Sequence, residues 1–242
     1  MLDQGSYVEA SAFGSTESIQ NVIGLGLNAY GMMIYEVCSD RVCPLRENPI
    51  HVDKATVIYV SNDGKNSPFH GCFGFVSERA QGNEGEEIVR FYDLKSNAIA
   101  ACTGLGGQNQ FRTFSKHRRS HFLKWFSFST CGRFLQTSGE DNSIYVYDSR
   151  RLSCPLLVVE HDCYQKSEGV VSEWFRSLPL LASACDDQTV RVWDVRRSPD
   201  DAQLQCFHES EIGTVSTLTT SLDNHVLIGT SMGKVVIFDD KF

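Results

Sequence analysis

The stretch that decides the fold runs Leu181-Ala-Ser-Ala-Cys-Asp-Asp-Gln-Thr-Val-Arg-Val-Trp-Asp-Val-Arg196. An earlier stretch aligns with it without a gap and runs Leu135-Gln-Thr-Ser-Gly-Glu-Asp-Asn-Ser-Ile-Tyr-Val-Tyr-Asp-Ser-Arg150. Each one has the pattern of a short strand, a polar turn and a second strand rich in β-branched and aromatic residues. The pair predicts a structural unit that the chain repeats.

The ending of this unit, an aromatic residue followed by an acidic one, occurs five times along the chain. The aromatic residues are 57, 55, 46 and 45 positions apart, and the pairs are Tyr35-Glu36, Tyr92-Asp93, Tyr147-Asp148, Trp193-Asp194 and Phe238-Asp239. Recurrence at this period is typical of stacked supersecondary units. The sequence therefore predicts an all-β chain with strands over 88–92, 143–147, 189–195 and 235–238, each of them innermost or next to innermost in its unit.

These stretches resemble the WD-repeat family of β-propellers, most closely from about Phe122 to the C-terminus. The resemblance implies one propeller domain over 1–242, with five recognisable blades ending near residues 36, 93, 148, 194 and 239. A blade of about 45 residues leaves the count below the seven that are common in this family. Three alternatives stay open: a five-bladed ring, a ring with unrecognised blades, or a fragment of a longer gene product, whose array is incomplete or part of a seven-bladed ring.

The resemblance also implies a hydrogen-bonded polar set within the best repeat, formed by His161, Ser183, Asp187 and Trp193. A buried imidazole and a buried indole N–H both need partners, and a turn aspartate can accept from histidine. His161 has two other interpretations, a metal ligand and a catalytic base. No second histidine or cysteine stands near it in metal-ligand spacing, so the structural role is favoured and no metal is predicted.

Both aligned stretches end in an aromatic-Asp-x-Arg sequence, which contains Asp148 and Arg150 in one and Asp194 and Arg196 in the other. The segment 181–196 resembles the sixteen-residue box of WD proteins that serve as substrate receptors of cullin-RING ubiquitin ligases. The resemblance implies that these residues dock the chain on the damaged-DNA-binding adaptor, where arginine suits bidentate contacts. The alternative is a non-ligase scaffold subunit of a nuclear or cytosolic complex, such as chromatin or RNA processing, with the arginines as ordinary surface residues.

The charge of the chain argues against direct nucleic-acid binding. The formal net charge is −8, whereas nucleic-acid binding needs a dominant basic face. One basic cluster contains Lys116, Arg118 and Arg119. It is interpreted as a solvated loop, with a phosphate or acidic-peptide contact as the alternative.

A hydrolase motif appears at Gly229-Thr-Ser231-Met-Gly233, which fits the G-x-S-x-G pattern. That motif needs a helix after the serine and a histidine further along the chain. The following residues have the pattern of a strand, and no histidine follows. A serine hydrolase using Ser231 is thus kept only as the alternative from another functional class. We expect no enzymatic activity, no cofactor and no small-molecule substrate.

The nine cysteines are an odd number with no C-x-x-C pair, and no signal peptide is recognised, which favours reduced thiols and a location in the nucleus, the cytoplasm or both. The longest apolar stretch, 21–35, is short and interrupted by glycines. It therefore predicts a β-hairpin instead of a membrane span.

Overall fold

The computed structural model describes residues 8–14, 22–27, 31–44, 58–60, 72–78, 87–93, 98–102, 123–139, 142–152, 154–162, 169–208 and 214–239. The chain divides into two compact units, 1–120 and 121–242. That residues 1–242 form a single domain stays a prediction.

The first unit contains two four-stranded antiparallel sheets, in which each strand pairs with the next one in sequence. β1 of the first sheet packs against β5 of the second. The strands are β1 Val8–Gly14, β2 Val22–Leu27, β3 Gly31–Val37 and β4 Val42–Pro44 in one sheet, and β5 Ile58–Val60, β6 Cys72–Glu78, β7 Glu87–Asp93 and β8 Ala98–Cys102 in the other.

The second unit contains three more antiparallel sheets with the same strand order. Their strands are β9 Leu123–Phe128, β10 Phe134–Gly139, β11 Ser143–Asp148 and β12 Leu157–Glu160; β13 Val171–Trp174, β14 Leu180–Ala184, β15 Thr189–Asp194 and β16 Gln203–His208; and β17 Val215–Thr220, β18 Val226–Thr230 and β19 Val235–Phe238. A short 3-10 helix, Pro199–Asp201, connects β15 to β16. Among the described residues, no helix is long and apolar enough to cross a membrane.

The all-β prediction is confirmed, and all four predicted strands are present as β7, β11, β15 and β19. Their expected position within the sheet is wrong. Each of them is the third strand, whereas in the second unit it is the first strands, β9, β13 and β17, that pack against one another across neighbouring sheets. β11 and β15 are largely buried, whereas the apolar residues Val235 and Ile237 of β19 are exposed, so an apolar pattern does not show where a strand lies within its sheet.

The turn before the third strand has the same backbone conformation in three consecutive repeats. Asn142, Gln188 and Gly233 have φ values of 62°, 62° and 74° and directly precede β11, β15 or the residue before β19. Positive φ reverses the chain tightly, and glycine and asparagine accept it more easily than other residues. The repeat therefore persists in the backbone even where its side chains differ.

The middle strands of the fourth sheet are buried on both faces because sheets pack on either side of them. In β14, Leu180 and Ala182 join a cluster with apolar residues of β17 and β18, whereas Leu181 and the following Cys185 join a cluster with β11 and β12. This division follows from the period of two residues in a strand. The fourth sheet is thus the centre of the second unit.

Polar side chains also join the third and fourth sheets inside this core. Gln136 on β10 donates through Nε2 to Ser127 Oγ at 3.1 Å and to the Ser172 carbonyl on β13 at 3.0 Å. The Ser172 hydroxyl donates back to Gln136 Oε1 at 2.7 Å. All three side chains are buried. Because water is excluded, each of these groups depends on the others for its hydrogen bonds.

We expect Gln136→Ala to lower the free energy of unfolding by about 1–3 kcal/mol, because the buried Ser127 hydroxyl and the Ser172 carbonyl lose the amide N–H that they accept. Urea denaturation followed by tryptophan fluorescence measures the change. The matched control is Gln203→Ala, since Gln203 is exposed and accepts one hydrogen bond of 3.4 Å. Equal losses for the two variants would contradict a structural role for the buried amide.

Candidate protein-interaction site

The structure brings the four residues of the predicted polar set together. His161 follows β12 in the third sheet, while Ser183, Asp187 and Trp193 belong to the fourth sheet. His161 Nδ1 lies 3.0 Å from Asp187 Oδ2, and His161 Nε2 lies 2.7 Å from Ser183 Oγ. Trp193 Nε1 lies 2.7 Å from the same Ser183 oxygen. The set therefore connects one sheet to the next.

The directions of these hydrogen bonds follow from the available donors. Trp193 N–H can only donate, so Ser183 Oγ accepts it. The Ser183 hydroxyl then donates to Nε2 of a neutral His161, whose Nδ1–H donates to Asp187. Burial lowers the pKa of His161 below its ordinary value of 6.5 and supports this neutral tautomer.

Asp187 has more partners than its sequence neighbourhood suggested. Its Oδ1 accepts from the Thr189 hydroxyl at 2.7 Å and from the Thr189 backbone N–H at 2.9 Å. Arg191, which is 8% exposed, donates to Asp187 Oδ2 at 3.2 Å and to the Glu160 carbonyl at 3.2 Å. The Asp-x-Thr spacing is a known turn signature, so Thr189 could have been found from the sequence. Nothing in the spacing indicates Arg191.

The carboxyl of Asp187 is ionised over the whole neutral range. Burial raises its pKa, but hydrogen bonds from His161 and Thr189 outweigh burial and lower the pKa to about 2. The polar set therefore holds one buried negative charge, which faces Arg191 at 3.2 Å.

The order Ser183, His161, Asp187 matches the distances of a nucleophile, a base and an orienting acid. Ser183 is fully buried, however, and its oxygen already accepts the Trp193 N–H. A nucleophile must be reached by its substrate, and this hydroxyl is enclosed between two sheets. The geometry favours the structural role of the set over the catalytic one.

The metal-ligand interpretation meets a similar obstacle. Ligand atoms of His161, Cys185 and Asp187 lie within 4.8 Å of one another, a proximity that the sequence spacing did not reveal. Cys185 is disulfide-bonded, so its sulfur is not a thiolate ligand. Both ring nitrogens of His161 are engaged by Asp187 and Ser183. The expectation of reduced thiols is wrong for Cys185, whereas Cys38, Cys43, Cys131, Cys154 and Cys206 are free.

The two predicted docking arginines form the same structure in neighbouring sheets. Arg196 donates through Nε and Nη2 to the two oxygens of Asp194, each at 2.8 Å. Arg150 donates in the same way to Asp148, at 2.9 and 2.6 Å. In each pair the aspartate also accepts the backbone N–H of its arginine, at 3.1 and 2.9 Å. We call these two pairs the Asp–Arg forks.

Burial is divided unequally within each fork. The side chains of Asp148 and Asp194 are 13% and 6% exposed, whereas those of Arg150 and Arg196 are 65% and 61% exposed. The hydrogen bond from Arg150 lowers the pKa of Asp148 to about 2, and the hydrogen bond from Arg196 lowers the pKa of Asp194. The forks therefore stay closed at neutral pH and present their guanidinium groups to solvent.

The other residues predicted from the sequence belong neither to the polar set nor to the Asp–Arg forks. Ser231 lies in the turn between β18 and β19, and strand β19 follows it where a hydrolase elbow needs a helix. Lys116, Arg118 and Arg119 lie outside the described residues, as does Asp141, which aligns with Asp187.

The sequence of the fourth repeat matches a known protein family. Residues 165–194 match the family described as "WD domain, G-beta repeat", and this match covers β13, β14, β15 and their turns. The chain has the fold of a WD-repeat propeller. The predicted fold class is thereby confirmed.

Two curated relatives are similar over part of the chain. Denticleless protein homologs B and A of Xenopus laevis are each 32% identical to it over 91 residues. The match covers 37% of this chain and 12% of each relative. The matched part of the chain thus spans about an eighth of the length of each relative.

Two solved structures share the fold over nearly the whole chain. The Dos1 propeller superposes with a TM-score of 0.69 at 17% identity, over 96% of this chain and 55% of its own. A chain of the mitotic checkpoint complex superposes with a TM-score of 0.70 at 15% identity, over 99% of this chain and 65% of its own. Identities this low show a common propeller fold and nothing further.

We expect Ser183→Ala to lower the free energy of unfolding of the WD-repeat chain by about 1–3 kcal/mol, because the Trp193 N–H and His161 Nε2 both lose their partner. Ser216→Ala is the matched control, since Ser216 lies on a strand but is exposed. Chemical denaturation of both variants measures the difference. A loss no larger than that of Ser216→Ala would show that the polar set does not stabilise the fold.

We expect stability to fall in two pH ranges. Because the folded pKa of His161 is lowered, the unfolded chain binds more protons, and stability is lost as the pH falls below about 6.5. The lowered pKa of Asp187 adds a second loss as the pH falls from about 4 to about 2. Melting temperatures of wild type and His161→Asn between pH 7 and pH 5 test the first loss, which the variant should lack. Parallel curves for the two proteins would contradict it.

Proposed function

We propose that this WD-repeat scaffold docks on the damaged-DNA-binding adaptor of cullin-RING ubiquitin ligases and serves as a substrate receptor. The observation that carries the proposal is the pair of matching Asp–Arg forks at the ends of β11 and β15. The sixteen-residue resemblance of segment 181–196 ends in Asp194 and Arg196, and the aligned stretch 135–150 ends in the matching residues Asp148 and Arg150.

The forks are suited to docking because they hold each guanidinium in one orientation before the partner arrives. Nε and one Nη2 hydrogen of Arg196 are used by Asp194, and the remaining N–H groups stay available to a partner's carboxylate or carbonyl oxygens. A long arginine side chain normally loses rotamer freedom on binding. Asp194 restricts that freedom beforehand, which lowers the entropic cost of association.

The two forks lie at corresponding ends of neighbouring sheets, where one partner could contact both. Trp174 on β13 donates its indole N–H to the Ser127 carbonyl on β9 at 3.1 Å, so the sheets pack directly. β11 and β15 are the third strands of these sheets and end on the same side. A partner that contacts both forks gains binding free energy from each. After the first contact has formed, the scaffold already holds the second fork close to the partner.

The same geometry supports a non-catalytic role, which we include in the proposal. The one Ser-His-Asp arrangement among the described residues is enclosed between sheets, and Ser231 lies in a turn between strands. We further propose protein partners in the nucleus, the cytoplasm or both, with no cofactor, small-molecule substrate, membrane or direct nucleic-acid contact.

We expect the double variant Arg150→Ala/Arg196→Ala to lose co-purification with the adaptor. Loss of a charged hydrogen-bonding group at the centre of an interface commonly costs about 2 kcal/mol or more, which is roughly a thirtyfold loss of affinity. Affinity purification of the tagged full chain, followed by mass spectrometry for adaptor and cullin peptides, measures the result.

The control is Arg41→Ala, an exposed arginine of the first unit, which should leave capture unchanged. Circular dichroism checks that the double variant keeps its β structure. If wild type captures no adaptor, or the double variant captures as much as wild type, the receptor role is refuted and a non-ligase scaffold role remains.

A further inference from the structure

Six exposed arginines lie on one edge of the third and fourth sheets, on the side where β11 and β15 end. We call this surface the basic edge; it consists of Arg133, Arg150, Arg151, Arg176, Arg196 and Arg197. Two of these residues belong to the Asp–Arg forks, and the other four were not among the predicted site residues. The turns of the sheets bring all six together.

In the third sheet, the turn between β9 and β10 carries Arg133 to the first fork. The backbone N–H of Ser149 donates to the Arg133 carbonyl at 2.8 Å, which places Arg133 beside Arg150. Arg133 Nε lies 3.9 Å from Asp148 Oδ2, and its side chain is 59% exposed. Arg151 follows Arg150 directly and is also exposed.

In the fourth sheet, the turn between β13 and β14 brings Arg176 to the second fork. The N–H of Phe175, which precedes Arg176, donates to the Leu180 carbonyl at 2.9 Å, and Leu180 pairs in register with Asp194. Arg197 lies on the other side of the fork, with Nε 3.4 Å from Asp194 Oδ2 and a side chain that is 54% exposed.

A contact between the two turns makes the basic edge continuous. The Thr130 hydroxyl, in the turn that contains Arg133, donates to the Phe175 carbonyl at 3.5 Å. Arg176 is the next residue after Phe175. The turns that carry Arg133 and Arg176 therefore lie side by side, and the arginines of the two sheets share one edge.

The electrostatic balance of the basic edge is positive, on a chain whose formal net charge is −8. Its two aspartates, Asp148 and Asp194, are 13% and 6% exposed and already face arginines. Two exposed aspartates, Asp200 and Asp201, lie in the 3-10 helix after Arg197, and Asp223 and Asp239 are exposed on the fifth sheet. The positive surface is thus bounded by acidic residues, which limits it to a compact ligand.

We propose that the basic edge binds an acidic segment of a partner protein through its aspartate and glutamate carboxylates. This inference rests on the proposed function in taking the forks as the centre of the interface, and it adds Arg133, Arg176 and Arg197 as partner-binding residues. A planar guanidinium matches a carboxylate with two parallel hydrogen bonds, and several arginines in one row suit a segment with several carboxylates.

A nucleic acid fits this surface less well than a protein segment. Its phosphates extend beyond any compact patch, and they would meet the acidic boundary and the net negative charge of the chain. A short acidic segment places its charges within the boundary and is repelled by the rest of the chain only weakly, because salt screens distant charges.

The test measures binding of a fluorescein-labelled fifteen-residue polyglutamate peptide to the full chain by fluorescence anisotropy at physiological salt. The triple variant Arg133→Ala/Arg176→Ala/Arg197→Ala, which keeps both forks, should bind at least about tenfold more weakly than wild type. Arg176→Ala alone should weaken binding, and the matched Arg41→Ala should not. A labelled single-stranded oligonucleotide of equal length should bind more weakly than the peptide.

Four outcomes would overturn the inference: no polyglutamate binding, equal binding by the triple variant, tighter binding of the oligonucleotide than of the peptide, or, where wild type captures adaptor, equal capture by the triple variant. Adaptor capture separates this inference from the receptor proposal. If polyglutamate binding behaves as expected but wild type captures no adaptor, the acidic-segment inference stands and the receptor role fails. If the triple variant captures adaptor like wild type, the forks alone dock the chain and the three added arginines are not partner-binding residues.

Discussion

The hydrogen-bond chain from Trp193 through Ser183 and His161 to Asp187 connects the third sheet to the fourth, and the packing around it depends on this connection. The imidazole comes from the loop after β12, whereas Trp193, Ser183 and Asp187 belong to the next sheet. Trp193, Ser183 and His161 each donate to the next member of the series. If one of these hydrogen bonds is lost, a buried polar group stays unpaired. This requirement determines how the two sheets are aligned.

The two ends of β15 have different tasks. Asp187, just before the strand, locks the sheets together through buried contacts, whereas Asp194, its last residue, orients an exposed arginine. Both carboxylates have lowered pKa values because they accept several hydrogen bonds. The same residue type thus stabilises the fold at one edge of the sheet and prepares a binding surface at the other.

The charge distribution explains how an acidic chain can present a basic surface. Each fork pairs an aspartate with an arginine, but the aspartate is nearly enclosed and the guanidinium is exposed. The solvent therefore contacts mainly the guanidinium groups of the forks. Net charge describes the whole surface at long range, while a partner at contact distance meets only the local arrangement. An acidic protein segment and the negative net charge of the scaffold are therefore compatible.

The sequence alone determined the strands and their repeat, because apolar alternation and turn residues recur at about 45 positions and need no knowledge of distant contacts. It also indicated His161, Ser183 and the four residues of the forks, since these occupy fixed places within a repeat, although the pairing of each arginine with its aspartate came from the structure. Only the tertiary structure decided that Cys185 is disulfide-bonded, that Arg191 faces Asp187, and that Arg133 and Arg176 join one basic edge. Those relations unite residues from different turns and sheets, and packing, which follows no sequence period, brings them together.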